Sequence, residues 1–314
     1  MDISFIIVNW NTKDLLRACL GSILKTVEAS FAYEMIVIDN ASADGSLALL
    51  EEEYPQVRTI ANKENRGFGA ANNQGFAVMQ GKYALLMNTD AVLTAGAVGK
   101  LWDFAEANPR AAIICGQLLN ADGSKQNSIA SFPTLLTLAA NTSILEYLLP
   151  RHYPSKRYEH TGPLEVESAI GACMMIRKEA LEQVSYFDER YFFFFEETDL
   201  ACAMKRAGWR IYQVPDALIY HLQGQSIGHN AKSRIEFYRS RYQFLRKWHG
   251  DAYYRAAAAV IFLRLLVNTG LSALGVLFTL GMATGLRGKL AVYIQLIGWH
   301  FRRDKKECAA GVSS

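Results

Sequence analysis

Ile3-Ser4-Phe5-Ile6-Ile7-Val8, running straight into Asn9-Trp10-Asn11, is the stretch from which the fold of this chain is read. A short, nearly all-apolar run of this kind suits a strand buried on both faces of a parallel sheet. Thr12 stands where it can cap a following helix, whose apolar positions are Leu15, Leu16, Cys19, Leu20 and Ile23. The pattern then repeats. Met35–Ile38 reads as a second strand ending at Asp39-Asn40, residues 46–53 as a helix and Val57–Ile60 as a short third strand. Residues 67–80 read helical in spite of Gly67, Gly69 and Gly75; Tyr83–Met87 makes a fourth strand, 95–107 a helix and 111–115 a fifth strand. This alternation predicts an α/β fold with right-handed crossovers. The carboxyl ends of its strands gather on one edge, where open α/β sheets bind ligands. The loops of that edge contain Asn9, Asp39, Asn40, Asn65 and Asp90.

After residue 116 the rhythm changes. Gln117–Leu119 and Ser128–Ala130 flank Asn120-Ala121-Asp122-Gly123, a hairpin-like turn. Residues 132–149 are apolar and suited to packing over one side or lining an acceptor cleft. Glu165–Ile176 reads as one strand, and two more are expected near 210–214 and over 217–221. These pieces read as a mixed-sheet elaboration of one domain.

Between them lies Phe192-Phe193-Phe194-Phe195-Glu196-Glu197-Thr198-Asp199-Leu200, in which four aromatics run into three carboxylates. The stretch from there to Trp209 has helical spacing and composition. Carboxylates beside a run that wants burial need a partner, a cation, a proton or a reaction. The plain alternative is a helix start whose acidic first turn favours the positive end of the dipole.

The early loops suit a nucleotide. Asp39 could accept from a base or ribose, or serve an ordinary turn; Asn40 and Asp44 add polar groups beside it. Asn65-Arg66-Gly67-Phe68-Gly69, with Asn72 and Asn73, concentrates amides and glycine at a helix start, and Arg66 is suited to phosphate oxygens. Asn88 and Asp90 offer oxygen ligands for Mg²⁺ or Mn²⁺, although Asn-Thr-Asp equally suits an Asx turn. His221, ending a strand, could add an imidazole ligand or be a hydrogen-bonded core histidine. Such an ion would bridge a diphosphate and neutralise leaving-group charge. No GxGxxG follows the first strand and no GxxxxGK[ST] occurs, which disfavours a dinucleotide enzyme and a P-loop NTPase.

The chain has 314 residues, 51% apolar and 20% charged, enough for one large domain with an appendage. Its net charge of +3 hides an asymmetry: residues 228–314 carry +10 and residues 1–227 carry −7. The basic part suggests an anionic partner, a membrane surface or nucleic acid. Five scattered cysteines without a CxxC argue against a disulfide scaffold or zinc-thiolate site, and no signal peptide is read at the start. Both point to a reducing, cytoplasmic setting. From Leu265 to Leu286 there are 22 residues without a charge, flanked by Arg264 and Arg287. That segment suits monotopic or re-entrant membrane attachment, with a true span or a cytosolic packing or homo-oligomer surface as alternatives.

Taken together, the pieces resemble the inverting glycosyltransferases of family 2, GT-A enzymes that use nucleotide-diphospho-sugars. They are most similar in pattern to bacterial rhamnosyltransferases and related galactofuranosyltransferases. The resemblance rests on Ile6-Ile7-Val8-Asn9-Trp10-Asn11, Val37-Ile38-Asp39-Asn40-Ala41-Ser42, Asn65 through Asn73, Leu86-Met87-Asn88-Thr89-Asp90, Phe195 through Leu200, and His221 with Gly224 and Ser226. It covers roughly residues 3–250 and implies a Rossmann-like open mixed sheet over 1–250, divided into a nucleotide-sugar half (1–116) and an acceptor and catalytic half (117–229). Residues 251–314 would form a helical, partly hydrophobic extension.

By the same resemblance, Val8, Asn9, Asp39, Asn40, Asn65, Arg66, Gly67, Phe68, Asn73, Asn88 and Thr89 form the donor site, with Asp39 on the nucleobase. Asp90 closes a DxD-type metal motif whose first position is here Asn88, and His221 completes the coordination of Mg²⁺ or Mn²⁺. Glu197 is the base, flanked by Glu196 and Asp199, and it replaces the usual Asp with a side chain one methylene longer. The implied reaction transfers a sugar, best matched by L-rhamnose from dTDP-L-rhamnose, to a saccharide or lipid-linked glycan acceptor during assembly of O-antigen, cell wall or another surface polysaccharide. The implied location is the inner face of the cell membrane, held peripherally. UDP-galactofuranose and UDP-GlcNAc are the alternative donors. A non-catalytic nucleotide- or glycan-binding protein is the main rival. A nucleic-acid-binding role for the Arg- and Tyr-rich 230–249 segment is opposed by the carboxylates of the cleft, so no nucleic-acid partner is expected.

Overall fold

The computed structural model describes residues 1–140, 142–150, 152–155, 162–222 and 231–310, with side chains to residue 302. Gly224 and Ser226, part of the motif ending at His221, lie outside the described residues. So does the side chain of Cys308.

In chain order the described elements are β1 (Ile3–Asn9), α1 (Lys13–Thr26), β2 (Tyr33–Asp39), α2 (Ser46–Glu53), β3 (Arg58–Ala61), α3 (Phe68–Val78), β4 (Tyr83–Asn88), β5 (Ala91–Leu93), α4 (Ala97–Ala107) and β6 (Ala111–Leu119). There follow β7 (Ile129–Ala130), α5 (Leu135–Ala139), α6 (Thr142–Leu148), β8 (Leu164–Glu165), β9 (Ser168–Ala169), β10 (Cys173–Arg177), α7 (Lys178–Val184), α8 (Glu196–Arg206), β11 (Arg210–His221), α9 (Ala231–Phe278) and α10 (Thr284–Ala310). They form two compact units, Met1–Phe132 with Leu148–Ser226, and Pro133–Tyr147 with Ile227–Ser314.

The first unit is built on a mixed sheet of order β3-β2-β1-β4-β10-β6-β11-β5, with β8 added beside β11. Strands β1 to β4 are parallel; β10 runs antiparallel between β4 and β6, and β5 antiparallel to β11. The expected α/β fold, a Rossmann-like open mixed sheet of GT-A type with a C-terminal helical extension, is what the chain adopts. Both faces of the sheet are packed. Leu16, Leu20 and Leu101 help cover one side, and Ala71, Phe76, Leu181 and Met204 the other. Helix α3 lies so close to β1 that a Cβ on Gly75 would come within 2.6 Å of Ile6 Cγ2. The glycine that weakens the helix in sequence is therefore the one that lets it dock.

Several boundaries differ from expectation. Strand β6 continues to Leu119 instead of ending at 115, and the turn over 120–123 forms as expected. Ile129–Ala130, however, pairs with Ser168–Ala169 in a separate two-stranded sheet. The single strand expected over 165–176 is broken into β8, β9 and β10, because each piece takes different partners: β8 pairs with β11, β9 with β7, and β10 with β4 and β6. The two strands expected over 210–221 are one strand, β11, with a register shift between Val214 and Leu218. Pro215 cannot donate to the ladder, so the irregularity falls beside it. Thr12 does occupy the helix N-cap, but its side chain makes no capping bond. Asp44 meets that helix start instead, accepting from the Lys13 N–H at 2.8 Å.

In the second unit α9 is broken at Gly250 (φ 80°, ψ 175°) and packs against α10. Leu245, Ala257, Ile261, Leu265 and Leu296 are buried there, and the Tyr253 hydroxyl accepts from the Leu135 N–H at 2.9 Å. Among the described residues α9 is the one helix long and apolar enough to cross a membrane, and only 17% of its most apolar window is buried.

Candidate active site

Parallel pairing of β1 with β2 and β4 puts Asn9 beside Asp39, and Val8 beside both Ile38 and Asn88. Three strand ends thereby converge. Asn9 Nδ2 donates to Asp39 Oδ1 at 2.7 Å and to Ser42 Oγ at 3.0 Å, while Asp39 Oδ2 accepts from the Ser42 N–H at 2.9 Å. The Asp39 carboxylate is fully buried, and each oxygen keeps a second lone pair. Asn11 and Ala41, in the two adjoining loops, adopt left-handed backbone with φ of 53° and 62°.

Asn40 reaches across to the next loop, donating to Asn65 Oδ1 at 3.3 Å and the Gly67 carbonyl at 3.2 Å. Asn65 Oδ1 also accepts from the Gly67 N–H at 2.9 Å. Gly67 has φ 84° and ψ 174°, a conformation open essentially to glycine alone. A Cβ there would also lie 2.5 Å from the Phe192 carbonyl oxygen, which accepts from the Phe68 N–H at 3.1 Å. The donor-side loop is thus stitched to the aromatic run. Asn73 is held in the same seam: its amide donates to Phe187 O and its Oδ1 accepts from Phe187 N. Arg66 is half-exposed and 4.0 Å from Glu189.

At the end of β4 the Asn88 N–H donates to Ala172 O at 2.9 Å, and Thr89 Oγ1 is 2.9 Å from Thr12 Oγ1. Thr12 Oγ1 is also 2.8 Å from Asn9 Oδ1, so one hydroxyl links the Asp39 cluster to the Asn88-Thr89-Asp90 triplet. His221 pairs in register with Ala91, which brings its ring to Asp90: Nε2 lies 3.3 Å from Oδ1. Both residues are buried. On the other side of the ring, Nδ1 is 3.0 Å from Gln126 Oε1, and Gln126 Nε2 donates to the His221 carbonyl at 2.5 Å. The amide orientation is therefore determined, and its oxygen can only accept. Nδ1 carries the proton, and in the neutral ring Nε2 turns a lone pair toward the carboxylate. A second proton on Nε2, or a bound cation, would bridge the imidazole and the carboxylate. Gln126 had no sequence signal, standing 95 residues from His221 in a turn region.

Phe194 and Phe195 both adopt left-handed backbone, with φ of 68° and 70°. Such non-glycine conformations cost of order 1–3 kcal/mol each and persist where surrounding structure enforces them. Here they aim the start of α8. Glu196, Glu197 and Asp199 all fall in its first turn, so the dipole reading of the acidic cluster holds as well. Asp199 is buried and accepts from the Tyr191 hydroxyl at 3.1 Å. Glu196 is buried with its Cβ close to Gly69. Glu197 lies over Gly171, the neighbour of the Ala172 that holds Asn88, and no side chain intervenes at that glycine. Burial pushes the Glu197 carboxyl up to about 7, against the pull of the Glu197 and Thr198 N–H groups. Three of the sequence-expected sites are thus joined by short bridges.

Residues 4–185 match the model of glycosyl transferase family 2. The chain belongs to this family.

Among relatives of this family 2 enzyme is the N-acetylglucosaminyl-diphospho-decaprenol L-rhamnosyltransferase of Mycobacterium tuberculosis, 30% identical over 231 residues, covering 68% of this chain and 75% of that protein. The low-salt glycan biosynthesis hexosyltransferase Agl10 of Haloferax volcanii is 24% identical over 69% of this chain and 66% of its own length. In fold, the chain is similar to a mannosyltransferase of Pyrobaculum calidifontis in complex with GDP-Man and Mn²⁺. The TM-score is 0.60 at 16% identity, covering 94% of this chain and 84% of that one. The glycosyltransferase fold and activity are therefore those of this chain. Among the described residues no group of three or more His, Cys, Asp or Glu could hold a metal ion. Asp90 with His221 Nε2 supplies two ligands of the right chemistry, and Mg²⁺ or Mn²⁺ ordinarily fills its other positions from water and substrate phosphates.

Proposed function

We propose that this glycosyltransferase moves L-rhamnose from dTDP-L-rhamnose to a hydroxyl of a lipid-linked saccharide, with inversion, in the assembly of a surface polysaccharide. The observation that carries the chemistry is the place of Glu197, over Gly171 and beside the Ala172 carbonyl that holds Asn88, where burial pushes its carboxyl up to about 7. A base poised near working pH is half ionised there and still basic enough to take a hydroxyl proton. The Mycobacterium tuberculosis relative, named for a lipid-diphosphate-linked acceptor and L-rhamnose, supports the choice of substrates.

In this reading the Asn9–Asp39 pair receives the base of the donor, and Arg66 with the Asn65–Phe68 loop receives phosphate or sugar. Asp90, His221 and Asn88 would hold Mg²⁺ or Mn²⁺. When bound, such an ion neutralises charge growing on the leaving diphosphate. Glu197 takes the proton of the acceptor hydroxyl as its oxygen bonds to the anomeric carbon. The carbon–oxygen bond to the diphosphate breaks on the opposite face, so configuration inverts in one displacement. General-base action of this kind is worth roughly 10²–10⁴-fold. Glu196 and Asp199 anchor the helix start that presents Glu197. A lipid-linked acceptor fits work at a membrane surface, which this reading takes to be the cytoplasmic face.

The test is a turnover screen of nucleotide-sugars with Mn²⁺ or Mg²⁺ and a polyprenyl-diphosphate saccharide acceptor. Preference for dTDP-L-rhamnose supports the donor. Turnover of UDP-galactofuranose or UDP-GlcNAc instead overturns the donor but not the chemistry, and binding without any turnover favours a non-catalytic role.

A further inference from the structure

The most exposed large apolar side chains of the second unit cluster where α9 turns back into α10: Phe278 is 87% exposed, Leu280 85% and Met282 76%. Leu271, Leu274 and Leu277 continue the exposed stripe along α9. Leu280 also sits in left-handed backbone with φ 47°, a turn position that in water favours glycine or asparagine. Apolar side chains left this exposed suit a non-aqueous surrounding.

Much of the backbone of the reversal is paired within itself. The N–H groups of Thr279, Leu280, Gly281 and Met282 donate to the carbonyls of Gly275, Leu277, Val276 and Thr279, and the Thr279 hydroxyl donates to Gly275 O at 2.9 Å. Entry into hydrocarbon requires this internal pairing. The charge pattern names the partner. No charge occurs between Leu265 and Leu286, and the exposed Arg287 and Lys289 follow at once. Cations bordering an apolar tip fit a bilayer with anionic headgroups.

A complete crossing does not fit. The reversal ends α9 at Phe278, so the uncharged part of that helix, from Leu265, is about 21 Å long at 1.5 Å per residue, short of the ~30 Å hydrocarbon core. One residue earlier, Arg264 is tied to the Leu138 and Ala140 carbonyls and so belongs to the protein-packed end. Arg287 follows the reversal by about one helical turn, which limits immersion to roughly 5–10 Å.

We infer that the α9–α10 reversal is a lipid-inserting tip, in which Phe278, Leu280 and Met282 enter the interfacial zone of an anionic bilayer and Arg287 and Lys289 meet its phosphates. This stands apart from the choice of donor and acceptor. The experiment is co-sedimentation of the full chain with vesicles of phosphatidylcholine containing about one third phosphatidylglycerol, and with phosphatidylcholine alone. Wild type should sediment with the anionic vesicles. Phe278→Ser/Leu280→Ser/Met282→Ser should lower the partition coefficient about tenfold or more. Arg287→Gln/Lys289→Gln should weaken binding to anionic vesicles and leave the weaker binding to neutral ones unchanged. Circular dichroism and nucleotide-sugar binding, both expected to be unaltered, keep a folding defect or a failed donor assignment apart from loss of the tip. Absence of wild-type sedimentation, or equal sedimentation of the folded triple variant, overturns the inference. So does a light-scattering dimer that the same substitutions dissociate, since a second copy would then cover the tip.

Discussion

Nε2 of His221 faces Oδ1 of Asp90 across 3.3 Å, and the amide of Gln126 fixes the ring so that Nε2 points into that gap. The proton on Nδ1 is committed to Gln126, so Nε2 is the nitrogen that meets Asp90, through a second proton or a bound cation. The arrangement has the form of a metal ligand with its outer hydrogen bond in place.

Removal of divalent ions should therefore abolish transfer, and Mn²⁺ or Mg²⁺ should restore it. Gln126→Leu should raise the Mn²⁺ concentration needed for half-activity by about 10–100-fold, the usual cost of losing such a partner. An unchanged Mn²⁺ titration for Gln126→Leu would remove the metal assignment of His221.

Glu197→Gln should keep nucleotide-sugar binding and lose roughly 10²–10⁴-fold in kcat. In wild type, kcat should climb through a pH of about 7, because the carboxyl that burial has raised must ionise before it can accept a proton. The same burial fixes a sign for stability. With the folded pKa above the ordinary carboxyl value, stability is greatest at low pH as far as this group is concerned. It falls as pH rises toward about 7 and is level beyond. Thermal melts across that window should show Glu197→Gln gaining on wild type as pH rises; parallel curves would show that the group is not buried as described.

Gly67→Ala should destabilise by at least about 1–3 kcal/mol, since alanine is strained at that φ and ψ. Its Cβ would also press on the Phe192 carbonyl. The displaced aromatic run should raise KM for the donor, measured by steady-state kinetics on protein that still melts cooperatively. A normal KM would uncouple this loop from the donor site.

Thr12→Val removes the hydroxyl shared by Asn9 and Thr89. Loss of a hydrogen bond worth about 1 kcal/mol should cost about fivefold in donor affinity, with Thr12→Ser restoring most of it. Equal affinity in all three proteins would make the link incidental.

The sites were legible to different degrees, for physical reasons. Asp39, Asn88-Thr89-Asp90 and the Glu196-Glu197 pair stand at ends of elements whose periodicity is strong, so their placement followed from local pattern. Gln126 and Thr12 gave no such sign. Gln126 is one amide among many until the fold brings it under His221, and Thr12 looked like a helix cap, a task that Asp44 performs for the Lys13 N–H. The breaks within 165–177 and the union of 210–221 were equally hidden, because strand limits there depend on which sheet the chain joins.

The order of strands and helices through residue 116, short β5 excepted, the acidic start of α8 and the uncharged segment beyond Arg264 were set by the sequence alone, since periodicity, capping chemistry and charge are local properties. Only tertiary structure decided that β10 enters between β4 and β6 and that His221 registers with Ala91. It alone also decided that the uncharged segment is folded in two at Thr279–Ala283, because strand partners and chain reversals are chosen by contacts between residues far apart in the chain.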